Sequence, residues 1–121
     1  PFSRVWRTYV CKYRRLDSDH SATYGQMMRF RRLLIRELTA LSPRVVVALG
    51  KDVTCVLTGL KKSSTLKNLR GREWVGFRLP VATKVVATYA PHYVDRMGGF
   101  GCEQHLEQQK DLKWAAELAN G

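Results

Sequence analysis

Acidic residues are scarce in this chain: Asp and Glu number 10 against 21 Lys and Arg, leaving a formal net charge of +11. That excess points to a polyanionic partner, and nucleic acid is the commonest one. A merely soluble basic surface is the plainer reading of the same numbers. Cysteine is sparse too. Cys11, Cys55 and Cys102 are odd in number and widely spaced, with no C-x-x-C pair. This suggests neither a disulfide framework nor a thiolate zinc site, and it points to a reducing intracellular setting, cytoplasmic or nucleoid-associated. His20, His92 and His105 form no H-E-x-x-H motif, so no metal is expected. Long apolar runs are missing, the longest being of the order of Val45–Leu49, so neither a membrane span nor a membrane partner is expected. The opening Pro1–Arg7 is interrupted by arginines and lacks the apolar core of a secretory signal. Its first residue is not an initiator methionine, which suits a processed or excised fragment.

With 121 residues, 45% hydrophobic and 26% charged, the chain has the length and composition of one globular domain, 1–121, whose core needs no staples. There is no internal repeat, low-complexity tract or interdomain linker.

The periodicities predict alternating strands and helices. Arg7–Tyr13 is rich in β-branched and aromatic residues and reads as a strand. Arg14–Ser21 reads as a loop. Thr23 with Gln26 forms a capping box for one helix carrying Met27, Phe30, Leu34, Leu38 and Leu41 on its apolar face, and Pro43 stops it. Val45–Leu49 fits a strand buried on both sides, followed by Gly50, a helix over Lys51–Leu57 and a terminating Gly59. Lys61–Arg72, with Lys61, Lys62, Lys67, Arg70 and Arg72, reads as a mobile basic loop suited to phosphates or as a plain solvated connection. Glu73–Leu79 and Val81–Tyr89 read as strands. Pro91 opens a helical turn, the glycines at 98, 99 and 101 break the chain, and a last helix from about Glu103 to Ala119 packs through Leu112, Ala115, Ala116 and Ala119. Together these give an α/β fold: three α/β/α layers around a short, mainly parallel sheet.

Chemistry is harder to find. Ala48-Leu49-Gly50-Lys51-Asp52 offers one glycine and no nucleotide-binding fingerprint, although a glycine at a strand-to-helix turn leaves backbone N–H groups free for an anion. His92 follows Ala90-Pro91 at a predicted strand end, where ligands bind in α/β sheets. Arg29, Arg32 and Arg36 make a cationic stripe at helical spacing, equally consistent with a solvated face and with phosphate contact.

The order of several short segments carries a resemblance. Leu38–Gly50, then Leu69-Arg70-Gly71-Arg72, then Pro80-Val81, then Thr88-Tyr89-Ala90-Pro91-His92-Tyr93-Val94-Asp95-Arg96 resembles the uracil-DNA glycosylase superfamily, most closely its family-four, iron–sulfur type. That family has a strand P-K-V-I-V-A-L-G, then L-R-G, then T-Y-H-P-S-Y-L-L-R, whose loop enters the DNA minor groove. Thr8–Arg14 is similar to its T-N-V-V-K-C-R, and the likeness extends to Asp111-Leu112 in the last helix. It implies a glycosylase-like fold, truncated at the N-terminus, whose partner is DNA. The implied DNA contacts are Arg70, Arg72, His92, Tyr93 and Arg96, with Arg29, Arg32 and Arg36 as outlying candidates. The implied base pocket comprises Tyr9, Ala90 and Pro91.

Its departures imply lost chemistry. The family's water-activating G-E-A-P-G motif precedes Thr8, where this chain has seven residues without it. Its uracil-reading asparagine falls at Tyr9, which lacks the paired donor and acceptor of an amide and reads equally as a core residue. Its leaving-group histidine falls at Ala90. Loss of one such donor lowers a rate about 10²- to 10³-fold, and His92 is the remaining catalytic candidate. Two cluster ligands fall at Tyr13 and Phe30, so no iron–sulfur cofactor is expected.

Three readings follow. The first is a DNA-binding glycosylase-like module of repair or replication, impaired in base excision. The second is an active uracil-DNA glycosylase completed by N-terminal residues or by another chain. The third is a structural subunit whose incomplete sheet meets a protein partner or a second copy.

Overall fold

The computed structural model describes residues 24–61 and 65–120. The predicted strand Arg7–Tyr13, with Tyr9 and Tyr13, lies outside the described residues, as do Thr23 and Lys62.

Helices and strands are mixed along the chain, but they come largely in pairs rather than in strict alternation. The helix predicted to run unbroken to Leu41 is two: α1 (Tyr24–Arg29) and α2 (Arg31–Leu41). Phe30 packs against the core, and its backbone leaves helical values (φ −101°, ψ 2°). Its N–H bonds to Met27 O at 3.1 Å, closing α1 on a tighter turn. From α2, Leu34 and Leu38 enter the core, while Leu41 is 43% exposed. The helix ends at Ser42 in the left-handed region, ahead of Pro43.

Next come β1 (Val45–Leu49) and α3 (Lys51–Thr58), the latter capped by Gly59. The basic stretch that follows is not wholly a loop, since it contains α4 (Leu66–Leu69). Leu69 is buried there and its carbonyl accepts the Trp74 indole N–H at 2.9 Å. The two strands predicted around Pro80 shrink to β2 (Trp74–Val75) and β3 (Lys84–Thr88). Arg78 with positive φ and the Thr83 N–H to Pro80 O turn fill the interval between them. Helices α5 (Pro91–Arg96) and α6 (Glu103–Asn120) complete the described chain.

The sheet order is β1-β3-β2. β1 and β3 are parallel over their whole lengths, from Val45↔Lys84 to Leu49↔Thr88. β2 adds a short antiparallel edge. Side chains alternate across this sheet. Val46, Ala48, Val85 and Ala87 belong to the apolar clusters shared with α3, whereas Thr88 faces α6 and bonds to Asp111. Both α3 and α6 pack against β1 and β3, which gives a mixed α/β fold with a helix on each side of a small sheet. β1 is less enclosed than its apolar run suggested: only Ala48 is fully buried, because β1 is an edge strand of the described sheet.

The packing face of α6 also differs from the expected one. Gln108, Asp111 and Ala115 are buried, while Leu112 is 37% exposed and Ala116 is exposed. Thr88 on β3 and Arg70, just after α4, draw Asp111 inward, and this rotates the helix away from a purely apolar registration. Among the described residues, no helix is long and apolar enough to cross a membrane.

Candidate functional site

The parallel strands β1 and β3 end side by side, and each hands the chain directly to a helix. After β1, Gly50 takes φ 109° and ψ 161°, a conformation essentially confined to glycine. Its N–H bonds back to Thr88 O at 2.9 Å, tying the two strand ends together. After β3, Ala90 is extended and Pro91 begins α5. Between these turns lies a cleft of ≈ 690 Å³. It occupies the crevice beyond the carboxyl ends of the strands, the place where α/β sheets take ligands.

Four walls supply its chemistry. The first turn of α3 contributes Lys51, Asp52 and Val53, whose backbone N–H groups precede the intrahelical bonds and have no partner within the helix. Lys51 brings a positive charge there, and Asp52 a negative one. From α4, Lys67 adds a second ammonium group and Leu66 an apolar surface. From the end of β3 and from α5 come Tyr89, His92 and Tyr93. The Tyr89 and Tyr93 rings stack with centroids 5.5 Å apart and planes 18° apart. Met27, Leu49 and Ala90 line the remainder. The cleft thus combines an exposed and a half-buried lysine, a helix start and a flat aromatic pair.

A buried polar network holds Tyr89 in position. Arg70 Nε and Nη2 donate to Asp111 Oδ2 and Oδ1 at 2.7 and 3.1 Å, while Nη1 donates to Glu107 Oε2 at 2.7 Å. Asp111 Oδ2 also accepts the Thr88 hydroxyl at 2.7 Å. Glu107 Oε2 accepts the Tyr89 hydroxyl at 2.8 Å. Gln108 Nε2 donates to Tyr89 O at 2.8 Å, and the Arg70 guanidinium carbon lies 5.0 Å from the Tyr89 ring centre. Burial alone pulls the Arg70 pKa down, but the hydrogen bond and charge of Asp111, with the charge of Glu107, leave it raised. The Arg70 side chain is 17% exposed and that of Asp111 6%.

Arg70 is therefore a correction to the sequence reading. Its donors are engaged by α6 carboxylates, so it braces the cleft wall rather than reaching for a phosphate. The other expected contacts divide by place. His92 and Tyr93 line the cleft and are exposed. Arg96 is exposed one turn further along α5, and Arg72 is exposed beyond α4. Arg29, Arg32 and Arg36 are exposed on α1 and α2, and none of them lines the cleft. Ala90 is buried at the cleft wall and Pro91 is exposed beside it. Phe30 packs against the apolar core. Among the described residues, no group of three or more His, Cys, Asp or Glu side chains is arranged to hold a metal ion.

Sequence reasoning passed over Lys51 and Tyr89 as site residues, and the acidic pair Glu107 and Asp111 as the fate of Arg70. A signal for the pair existed: the two carboxylates stand four residues apart and so share one face of the last helix.

Burial, reinforced by the hydrogen bond to Glu107, pushes the Tyr89 phenol up to about 12 from its ordinary value of 10.0. Because the folded state favours the neutral phenol, its stabilising contribution is intact below pH 10 and disappears as pH climbs towards 12. Thermal melts across this alkaline window should show a fall in melting temperature that is reduced in Tyr89→Phe. Equal falls in both proteins would contradict this account.

Compared with known proteins, the chain matches no family model and no curated protein. Its function therefore has to be read from the chemistry of the cleft.

Proposed function

We propose that the chain is a nucleic-acid-binding α/β module, of uracil-DNA glycosylase type, that holds DNA at the cleft beyond β1 and β3 without excising a base. The observation that carries this reading is the convergence of Lys51, Lys67 and His92 with the stacked Tyr89–Tyr93 pair in one cleft at parallel strand ends. Cations attract the phosphodiester backbone and release its counterions, while a flat aromatic pair offers its outer face to an unpaired base. A net charge of +11 supplies the long-range attraction.

The resemblance assigns its DNA-contacting loop to the segment Thr88–Arg96, which contributes Tyr89, Ala90, His92 and Tyr93 to this cleft. Excision is left out of the proposal because Ala90 presents a methyl group where that family has its leaving-group histidine. The biological setting that fits is DNA repair or replication.

Fluorescence anisotropy of a labelled oligodeoxynucleotide tests the reading. Affinity should fall linearly on logarithmic axes with salt, with a slope of about −2 to −4, as three to five single-strand phosphate contacts would give at about 0.7 each. Salt-independent binding would overturn it. Incubated with a uracil-containing strand, the protein should leave no abasic sites, and their appearance would restore the glycosylase.

A further inference from the structure

Beyond α5 the chain makes a hydrogen-bonded loop that holds one aromatic side chain out in solvent. Phe100 is 95% exposed, more than any other large apolar residue described. It is flanked by Gly99 and Gly101, whose positive φ values of 72° and 86° turn the chain tightly on either side. Despite its glycines the loop is well tied. Gly99 N–H donates to Val94 O at 2.9 Å, Cys102 N–H to Gly99 O at 3.2 Å and Gly101 N–H to His105 Nδ1 at 3.1 Å. The His105 ring lies beside Phe100, centroids 4.9 Å apart and planes tilted by 41°. A ring so exposed has no folding role that would account for its position, since it contributes little to the apolar core.

We infer that Phe100 is a second base-stacking platform, making the protein selective for single-stranded nucleic acid. This rests on the nucleic-acid reading above and extends it from the cleft to the next part of the strand's path. Tyr93, in the cleft, lies on α5 one turn before Met97, the 45% exposed residue that caps this helix, and the chain then runs into the Phe100 loop. Arg96 is exposed on α5, between Tyr93 and Phe100 in the chain, and offers a cation to the strand's backbone. In a duplex both faces of each base are already covered by neighbours, so a fixed protein ring gains most from an unstacked base.

Gly99 and Gly101 leave the ring open to a flat base, whereas a protein contact would centre on a broader apolar surface that includes exposed Met97. Asp95 and Glu103, exposed on either side in the chain, repel phosphodiester and anionic headgroups alike, so Phe100 is assigned the base and not the backbone.

The test uses the whole chain and three probes: labelled oligothymidylate, the same strand annealed to oligoadenylate, and phosphatidylserine-containing vesicles. Phe100→Ala should bind oligothymidylate roughly tenfold more weakly, the loss of one base stack. Its duplex affinity and melting temperature should be unchanged. Phe100→Trp should retain the affinity, with the new indole emission quenched by the single strand. If the native chain binds oligothymidylate and Phe100→Ala binds it equally well, the platform is refuted while the cleft reading stands. If the native chain binds neither nucleic acid, both fall. An effect of Phe100→Ala confined to vesicles would overturn the platform in favour of a membrane contact.

Discussion

Replacing Arg70 with alanine is expected to remove about 3–5 kcal/mol of folding stability, the cost of leaving the buried partner of an ion pair uncompensated. The partner is Asp111, 5% exposed, which would keep the Thr88 hydroxyl but lose two guanidinium bonds. Glu107 would lose its cation as well. Against a total of about 5–15 kcal/mol for a typical domain, this is a large share, and it leaves much of the variant unfolded where the total lies near the lower end. Urea titration followed by circular dichroism measures it directly. Arg70→Lys should fall in between, because an ammonium group keeps the charge but cannot form the two-pronged bond to Asp111. A loss below about 1 kcal/mol for Arg70→Ala would place the pair with exposed ion pairs and remove its bracing role.

The same variant separates two explanations of any lost DNA affinity. If Arg70 braces Tyr89, binding should fail in proportion to the unfolded fraction and recover under stabilising conditions. If it touched phosphate, affinity would fall in a fully folded protein.

The fold was legible wherever one local rule decided the outcome. Gly50 and Gly59 bracket α3 because strand-to-helix and helix-to-coil turns need conformations that glycine tolerates. Pro91 opens α5 for the equivalent reason at a helix start. What the sequence concealed depended on distant partners. Leu112 and Ala116 fit an apolar stripe on α6, but Asp111 is pulled under by Arg70, forty-one residues away, and by Thr88. The short β2 was hidden because Glu73–Leu79 has strand-like composition, while only Trp74 and Val75 find partners on β3. The site was half legible. His92 and Gly50 stand out by their place at strand ends, but nothing local shows that Arg70 faces inward or that Tyr89 stacks on Tyr93.

The cleft lysines offer the sharpest test of where the polyanion lies. The double variant Lys51→Glu/Lys67→Glu should bind single-stranded DNA on the order of 10- to 100-fold more weakly at low salt, since each change replaces an attraction by a repulsion. Folding should survive it. Lys67 is exposed, and Glu at the first position of α3 lies at the positive end of the helix dipole, where an acid is favoured by a few tenths of a kcal/mol. The neutral pair Lys51→Gln/Lys67→Gln should flatten the salt slope by about 1.4, two contacts at about 0.7 each. Arg29, Arg32 and Arg36 provide the comparison, being exposed but outside the cleft. Neutralising those three should weaken binding less than reversing the two lysines, because they act only through the diffuse field of a +11 chain. The opposite ranking would move the interface from the strand ends to the α1–α2 surface, and the stacked tyrosines would lose their assigned role.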